Sequence, residues 1–193
     1  MSVTSVLTVL LAGFVSYWIG ALSPAEVAAR LRGADLRGTG SGNPGATNAA
    51  RTMGVRVGII VGLIDVVKGF LPVWFFTRYG DPAPQVAGIA AVLGHVTSPF
   101  LHGRGGKGVA TSLGAILALE PLWAVPVLAA FGLTVGVTRR VGIGSVVGTL
   151  VLIPASLVVG RSPADVAFAV TLTALVIYRH RRNLREYWAS LRH

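Results

Sequence analysis

The sequence predicts an all-α integral membrane protein of seven transmembrane helices, and three observations lead there. Of 193 residues, 53% are hydrophobic and only 12% charged, against about 25% charged in a soluble domain. The apolar residues run in long blocks, not in amphipathic stripes, and mean hydropathy is +0.70. The cations, finally, gather in the gaps between blocks. Cysteine is absent, which excludes disulfides, thiolate nucleophiles and cysteine metal sites. The net charge of +10 does not point to nucleic acid. In a membrane protein, excess Lys and Arg mark the cytoplasmic face and contact with anionic lipid.

Seven apolar blocks are candidate spans, at 3–22, 54–78, 84–101, 108–119, 122–138, 141–160 and 164–178. The first has neither a basic leader nor an Ala-x-Ala cleavage site, so it reads as a retained span. The fourth is short for a crossing of about 20 residues, which suits a tilted helix or one buried among the others. An odd number of spans places the termini on opposite sides. Arg30, Arg32, Arg37, Arg51, Arg56, Arg104, Lys107, Arg139, Arg140, Arg179, Arg181, Arg182, Arg185 and Arg192 then share one side. Arg78 and Arg161 lie on the other, with Lys68 inside a span. The positive-inside rule sets the N-terminus outside and the C-terminus in the cytoplasm. Both glycine-rich loops, 38–51 and 102–108, face the cytoplasm in this topology. No repeat, low-complexity tract or soluble domain interrupts residues 1–193, which read as one polytopic membrane domain.

The first loop, "GTGSGNPGATNAAR", contains Gly40-x-Gly42-x-x-Gly45. As a dinucleotide fingerprint this needs a buried strand before it, and "RGADLRGT" is not one. Its physical content remains. Glycines bare their amides, and a helix starting near Thr47–Asn48 turns its N-terminus towards the loop, an arrangement that favours anions. Ser41, Asn43, Thr47 and Asn48 add neutral donors, and Arg51 grips phosphate oxygens as a fork. The plainer alternative is a flexible loop before a capped helix. The second loop, "HGRGGKG", is not a P-loop: Leu101 and Gly108 stand where Gly and Ser or Thr are required. It is a phosphate-sized turn with two cations, Arg104 and Lys107, and glycines Gly105 and Gly106; the alternative is a basic interfacial turn.

Asp65 and Lys68 lie three residues apart within the second span, on one helix face. Charges at membrane depth are costly and face a polar interior; they form either a structural ion pair or a device that positions substrate or loop. His95 lies about two turns into the cytoplasmic half of the third span, as a core residue or a polar site group. His180 and Asn183 lie one turn apart just past the last span, within reach of the loops or as a helix cap. Ser145 follows Arg140 at the cytoplasmic end of the sixth span. His102 and His193 carry no argument.

Together these residues resemble one family, the membrane glycerol-3-phosphate acyltransferases that use acyl-phosphate as donor. "DLRGTGSGNPGATNAARTMG" (35–54), "DVVKGFLP" (65–72), "GHVTSPFLHGRGGKGVATSLGA" (94–115) and "HRRN" (180–183) are similar to its motifs, in order, over essentially the whole chain. The resemblance implies acyl transfer from acyl-phosphate to the 1-hydroxyl of sn-glycerol 3-phosphate. The products are lysophosphatidic acid and inorganic phosphate, in the plasma membrane of a bacterium as the first step of phospholipid synthesis. It implies phosphate binding by Ser41, Thr47, Arg51, Lys107, Ser145, His180 and Asn183. Asn43, Asn48 and His95 fall on motif positions without an individual role. Candidate catalytic residues are therefore Lys107, Arg51, His95 and Asn48. Candidate binding residues are Ser41, Gly42, Asn43, Gly45, Thr47, Arg104, Gly105, Gly106, Ser145, His180 and Asn183, with Asp65 and Lys68 positioning the site.

The chain departs from the family at "RVGIGS" (140–145), with Gly142 in a stretch usually richer in serine, and in its tail. The His-x-x-x-x-Asp signature of other glycerolipid acyltransferases is absent: Phe100, Lys107 and Arg185 stand five residues after His95, His102 and His180. No cofactor, metal, nucleic acid or obligate protein partner is expected; the partners are the two substrates and membrane lipid. Direct transfer is expected, because no hydroxyl sits in a nucleophile–base motif. A transporter of phosphate or an organic phosphate is the alternative, although transporters hold their sites near the midplane between repeats.

Overall fold

The computed structural model describes residues 2–160 and 162–192; Met1, Arg161 and His193 lie outside them. Among the described residues all regular structure is helical. The chain divides into two compact units, Met1–Leu119 and Glu120–His193.

The first unit contains α1 (Val3–Ala21), α2 (Pro24–Arg32), α3 (Ala46–Met53), α4 (Val55–Phe76), α5 (Ala83–Val96) and α6 (Val109–Leu119). Lipid tails are as apolar as leucine, so close packing rather than hydrophobic burial must join these helices. Glycine permits it. A Cβ on Gly20 of α1 would land on the Ala91 carbonyl of α5, and one on Gly94 of α5 would land on the Tyr17 carbonyl of α1. The α4–α6 contact repeats the device with Gly69 against Thr111 and Gly114 against Val66. Large apolar side chains point outwards instead: Leu7, Leu10, Phe14, Ile59 and Leu63 are all exposed. An apolar outside of this extent suits lipid.

The connection 23–53 carries two helices, α2 and α3. Ser23 caps α2 by accepting the Glu26 amide (3.3 Å), Pro24 opens the helix, and Gly33 ends it in the left-handed region (φ 61°). Ala25, Ala29, Leu36, Ala49, Val57 and Val61 form a small core that lays α2 and α3 on α4. The helix expected near Thr47–Asn48 begins at Ala46. The third apolar block ends sooner than 101. Pro99 disfavours helix at the residue before it, Ser98 is extended (ψ 119°), and α5 stops at Val96. His95 therefore lies in the last turn of α5, not two turns inside a span.

The second unit contains α7 (Pro121–Thr138), α8 (Val141–Val159) and α9 (Pro163–Ser190). Trp123 of α7 stacks on Phe168 of α9 (ring centroids 6.4 Å apart). Thr173 of α9 donates to the Thr149 carbonyl of α8 (2.7 Å). The last helix corrects the expected 164–178. It runs on through "RHRRNLREYWAS" to Ser190, supported by an Arg182–Glu186 pair (3.0 Å) one turn apart. His180 and Asn183 thus belong to a continuous helix, not to a segment beyond it.

Among the described residues, four stretches are long and apolar enough to cross a membrane: Val3–Arg32, Val55–Tyr79, Pro121–Thr138 and Val141–Val159. The three other expected spans correspond to α5 with 14 residues, α6 with 11 and α9 with 28.

Candidate active site

Asn48 organises the first loop. Its side chain is 1% exposed. Its Oδ1 accepts the Ser41 amide (2.9 Å), and its Nδ2 donates to the carbonyls of Leu36 (2.9 Å) and Thr39 (3.2 Å). These bonds fold residues 36–41 back over α3. The turn needs Gly40 and Gly42 in the left-handed region, at φ 59° and 67°, where glycine is least strained. Asp35 closes the start of the loop by accepting the amides of Arg37 (2.8 Å) and Gly38 (3.0 Å). Those two amides, Gly38 first, hold its carboxyl below the usual value of 3.8. Gly45 caps α3 without a side-chain partner for the first amides, so the first turn of α3 keeps unfilled donors. Arg51 and Thr47 are exposed, Ser41, Gly42, Asn43 and Gly45 half-buried. The Arg51 stem runs beside Gly40.

The second loop is built differently from the anion cradle its glycines suggest. The Gly105 amide donates to the Val96 carbonyl (3.0 Å), the Gly106 amide to the His95 carbonyl (3.1 Å) and the Gly103 amide to the Ser98 carbonyl (2.9 Å). The end of α5 and the Ser98 carbonyl just past it take up these donors. The glycines serve close approach: a Cβ on Gly105 would strike the His95 carbonyl, and one on Gly106 would strike His95 Nε2. The two loops meet where Arg37 Nη2 donates to the Arg104 carbonyl (2.7 Å). Arg104 is exposed and Lys107 half-buried.

Beneath the second loop lie Asp65 (2% exposed), Lys68 (6%) and His95 (7%). Lys68 Nζ contacts three acceptors: Asp65 Oδ1 at 2.9 Å, His95 Nδ1 at 2.8 Å and the Leu22 carbonyl. The pair expected from spacing is therefore formed, and it extends to the ends of α1 and α5. Removing one partner would strand a buried charge, a loss of about 3–5 kcal/mol. Ser98 adds a second tie to α1 by donating to the Ala21 carbonyl (2.6 Å).

In the second unit Ser145 (3% exposed) and His180 (2%) are buried. Ser145 donates to the Val141 carbonyl (2.9 Å). His180 Nδ1 lies 2.8 Å from the Val176 carbonyl; a carbonyl only accepts, so Nδ1 carries the proton. Asn183 lies over Gly142, where a Cβ would come within 3.1 Å of its amide. Arg140 ties the start of α8 to the far end of α9, bonding Ser190 Oγ (3.0 Å) beside the Tyr187 ring (5.4 Å). Among the described residues no group of acidic, histidine or cysteine side chains could hold a metal ion.

The first unit thus brings together Asn48, the two loops, Asp65, Lys68 and His95. The second brings Ser145 to the same α8 end as Gly142 and Asn183. Sequence reasoning missed Arg37 as the link between loops, Asp35 as the loop's first turn, and the Leu22 carbonyl. An Asp followed three residues later by Gly is a readable turn signal; a backbone acceptor leaves no such mark.

Comparison with known proteins places this architecture. Residues 10–190 match the family model described as glycerol-3-phosphate acyltransferase. Glycerol-3-phosphate acyltransferase 1 of Deinococcus radiodurans is 42% identical, over 95% of this chain and 94% of that protein. The Geobacter sulfurreducens glycerol-3-phosphate acyltransferase is 41% identical over 89% and 90%. The crystal structure of PlsY, an integral membrane glycerol 3-phosphate acyltransferase, in its glycerol 3-phosphate form superposes with a TM-score of 0.91 at 34% identity. It covers 94% of this chain and 92% of that one. The lysophosphatidic acid form gives 0.89 at 32%, with the same coverage. With apolar helices long enough to span a bilayer, two cationic loops joined at one end and matches along nearly its whole length, the chain belongs to the glycerol-3-phosphate acyltransferase family.

Proposed function

We propose that the protein transfers a fatty acyl group from acyl-phosphate to the 1-hydroxyl of glycerol 3-phosphate. The hydroxyl oxygen forms the new ester bond to the acyl carbon. The acyl–phosphate bond breaks, and inorganic phosphate leaves with the electron pair. The hydroxyl proton passes to phosphate or water. The carrying observation is the Arg37–Arg104 bond (2.7 Å), which joins the loop of Ser41, Thr47 and Arg51 to the loop of Lys107. Two phosphate-bearing substrates need cations and neutral donors converging at one place. The matched PlsY structures, in glycerol 3-phosphate and lysophosphatidic acid forms, support this substrate and product. An acyl-phosphate is already activated, so positioning and charge stabilisation supply the acceleration.

In this reading residues 1–193 form one membrane domain. Arg51, Lys107, Ser41, Thr47, Ser145, His180 and Asn183 hold the phosphates. Seven helices cross a bacterial plasma membrane with the N-terminus outside, the C-terminus in the cytoplasm and the loops on the cytoplasmic face. The distribution of fourteen of seventeen cations supports it. Purified protein in detergent, given acyl-phosphate and glycerol 3-phosphate, should release phosphate and form lysophosphatidic acid, with acyl-CoA a poor substitute. Turnover with acyl-CoA alone would overturn the donor. Intact mass after incubation with acyl-phosphate alone should show no adduct; a stoichiometric adduct discharged by glycerol 3-phosphate would defeat direct transfer. Reporters fused after His193 and within 102–106 should both be cytoplasmic.

A further inference from the structure

We propose that Asp65, Lys68 and His95 form a positioning unit for the loop that carries Lys107, with His95 held as the neutral tautomer protonated on Nε2. The inference rests on the acyltransferase reading only for the role of Lys107. An ammonium group donates and never accepts. Lys68 Nζ lies 2.8 Å from His95 Nδ1, so Nδ1 is the acceptor and the ring proton resides on Nε2. The rival arrangement, Nδ1–H donating to Asp65, has a longer contact of 3.4 Å. A proton on both nitrogens would press an imidazolium against the ammonium in a buried site. One carboxylate, one ammonium and a neutral ring leave no net charge inside the bundle, as its apolar surroundings favour.

The protonated ring edge faces the loop. Nε2 lies where a Cβ of Gly106 would sit, and the Gly106 and Gly105 amides hang from the carbonyls of His95 and Val96. Lys107 is the next residue. Any turn of the His95 ring therefore displaces the peptide planes that lead directly into Lys107. Lys68 fixes the ring, and through the Leu22 carbonyl it fixes both to the end of α1. A general base at this place would need a bare nitrogen. Nδ1 is covered by Lys68 and Nε2 holds a proton, so His95 is a positioning residue and not the acceptor of the substrate's proton.

The test joins nitrogen NMR to kinetics. Protein labelled with 15N-histidine, in detergent at neutral pH, should show His95 with Nδ1 unprotonated and Nε2 protonated. The signals are assigned by their loss in His95→Gln and their retention in His102→Gln. A protonated Nδ1, or an imidazolium pattern, overturns the proposal, and this spectrum decides the matter where a variant fails to fold. His95→Gln, whose amide reaches the Nε2 position but offers Lys68 no acceptor in place of Nδ1, should lose less kcat than His95→Ala and less than the about hundredfold that loss of a general base costs. His95→Ala and Lys68→Met, at an unchanged fold, should lose about tenfold or more in kcat through misplacement of Lys107. Full activity in His95→Ala, or equal loss in folded His95→Gln and His95→Ala, overturns the positioning role. A wild-type protein without acyl transfer defeats the functional reading, while the tautomer is still read from the spectrum.

Discussion

Replacing Asn48 with alanine removes three hydrogen bonds at once, to the Ser41 amide and to the Leu36 and Thr39 carbonyls. The site is buried, so water does not restore them. Each bond contributes about 0.5–1.5 kcal/mol net, and the three lie in one local network. The loop 36–41 should lose about 2–4 kcal/mol of local order, roughly thirty- to a thousandfold in its opening equilibrium at 1.36 kcal/mol per tenfold. Most of this will appear in the loop, because all three bonds lie between Asn48 and residues 36–41, while Leu36 also stays packed on Ala25, Ala29 and Val61. Hydrogen exchange followed by mass spectrometry should show peptides spanning 36–43 exchanging faster by that factor, with α4 unaffected. The KM for glycerol 3-phosphate should rise, because the loop is competent for a smaller fraction of the time. Asn48→Asp should be at least as damaging: its second oxygen would face the Leu36 and Thr39 carbonyls instead of donating to them. Unchanged loop exchange in Asn48→Ala, with normal KM, would refute the assignment of Asn48 as the loop's organiser.

Further predictions concern the loops. Arg51→Ala and Lys107→Ala should each lower turnover by tens- to hundreds-fold in a folded protein, since a charge-assisted contact contributes about 1.5–3 kcal/mol. Lys107→Arg should rescue only partly, because a planar fork replaces a compact charge; phosphate-release kinetics check all three. Gly106→Ala places a methyl group on His95 Nε2, so overpacking of about 1–3 kcal/mol should lower both melting temperature in detergent and kcat. The Asp35 turn depends on an ionised carboxyl whose pKa lies below 3.8 in the folded chain. Its contribution is therefore complete above that value and fades as pH falls below it. Exchange of the Gly38 amide should be protected at pH 5–8 and faster in Asp35→Asn; equal protection in the variant would remove the turn's role.

The apolar helices were readable because their blocks are long and their ends are marked. Ser23, Pro24 and Gly33 equally mark α2, yet its alanines and arginines do not stand out beside the apolar span before it. The end of α9 was misplaced for a physical reason. Charge after Tyr178 bars a segment from the bilayer core but does not break a helix, and neither Gly nor Pro follows before Ser190. At the site, spacing alone paired Asp65 with Lys68. It could not tell that Asn48 turns towards its own loop, because an asparagine in the first turn of a helix serves a ligand or a loop equally well. The glycines at 105 and 106 were read as part of a phosphate-sized turn. What approaches them is the His95 ring and its carbonyl, a contact across ten residues that no local pattern encodes.

The Leu22 carbonyl, which receives Lys68, has an unusual genetic status. Its side chain is 57% exposed and takes no part, so nearly any residue at 22 presents the same oxygen. Drift at this position would look neutral across generations, and a scan of alanine substitutions would score it as dispensable. Only a change in the main chain, such as an ester in place of the amide that follows it or an inserted residue that swings the carbonyl away, would reveal that Lys68 depends on it. The requirement falls on where the first span ends, not on what it is made of.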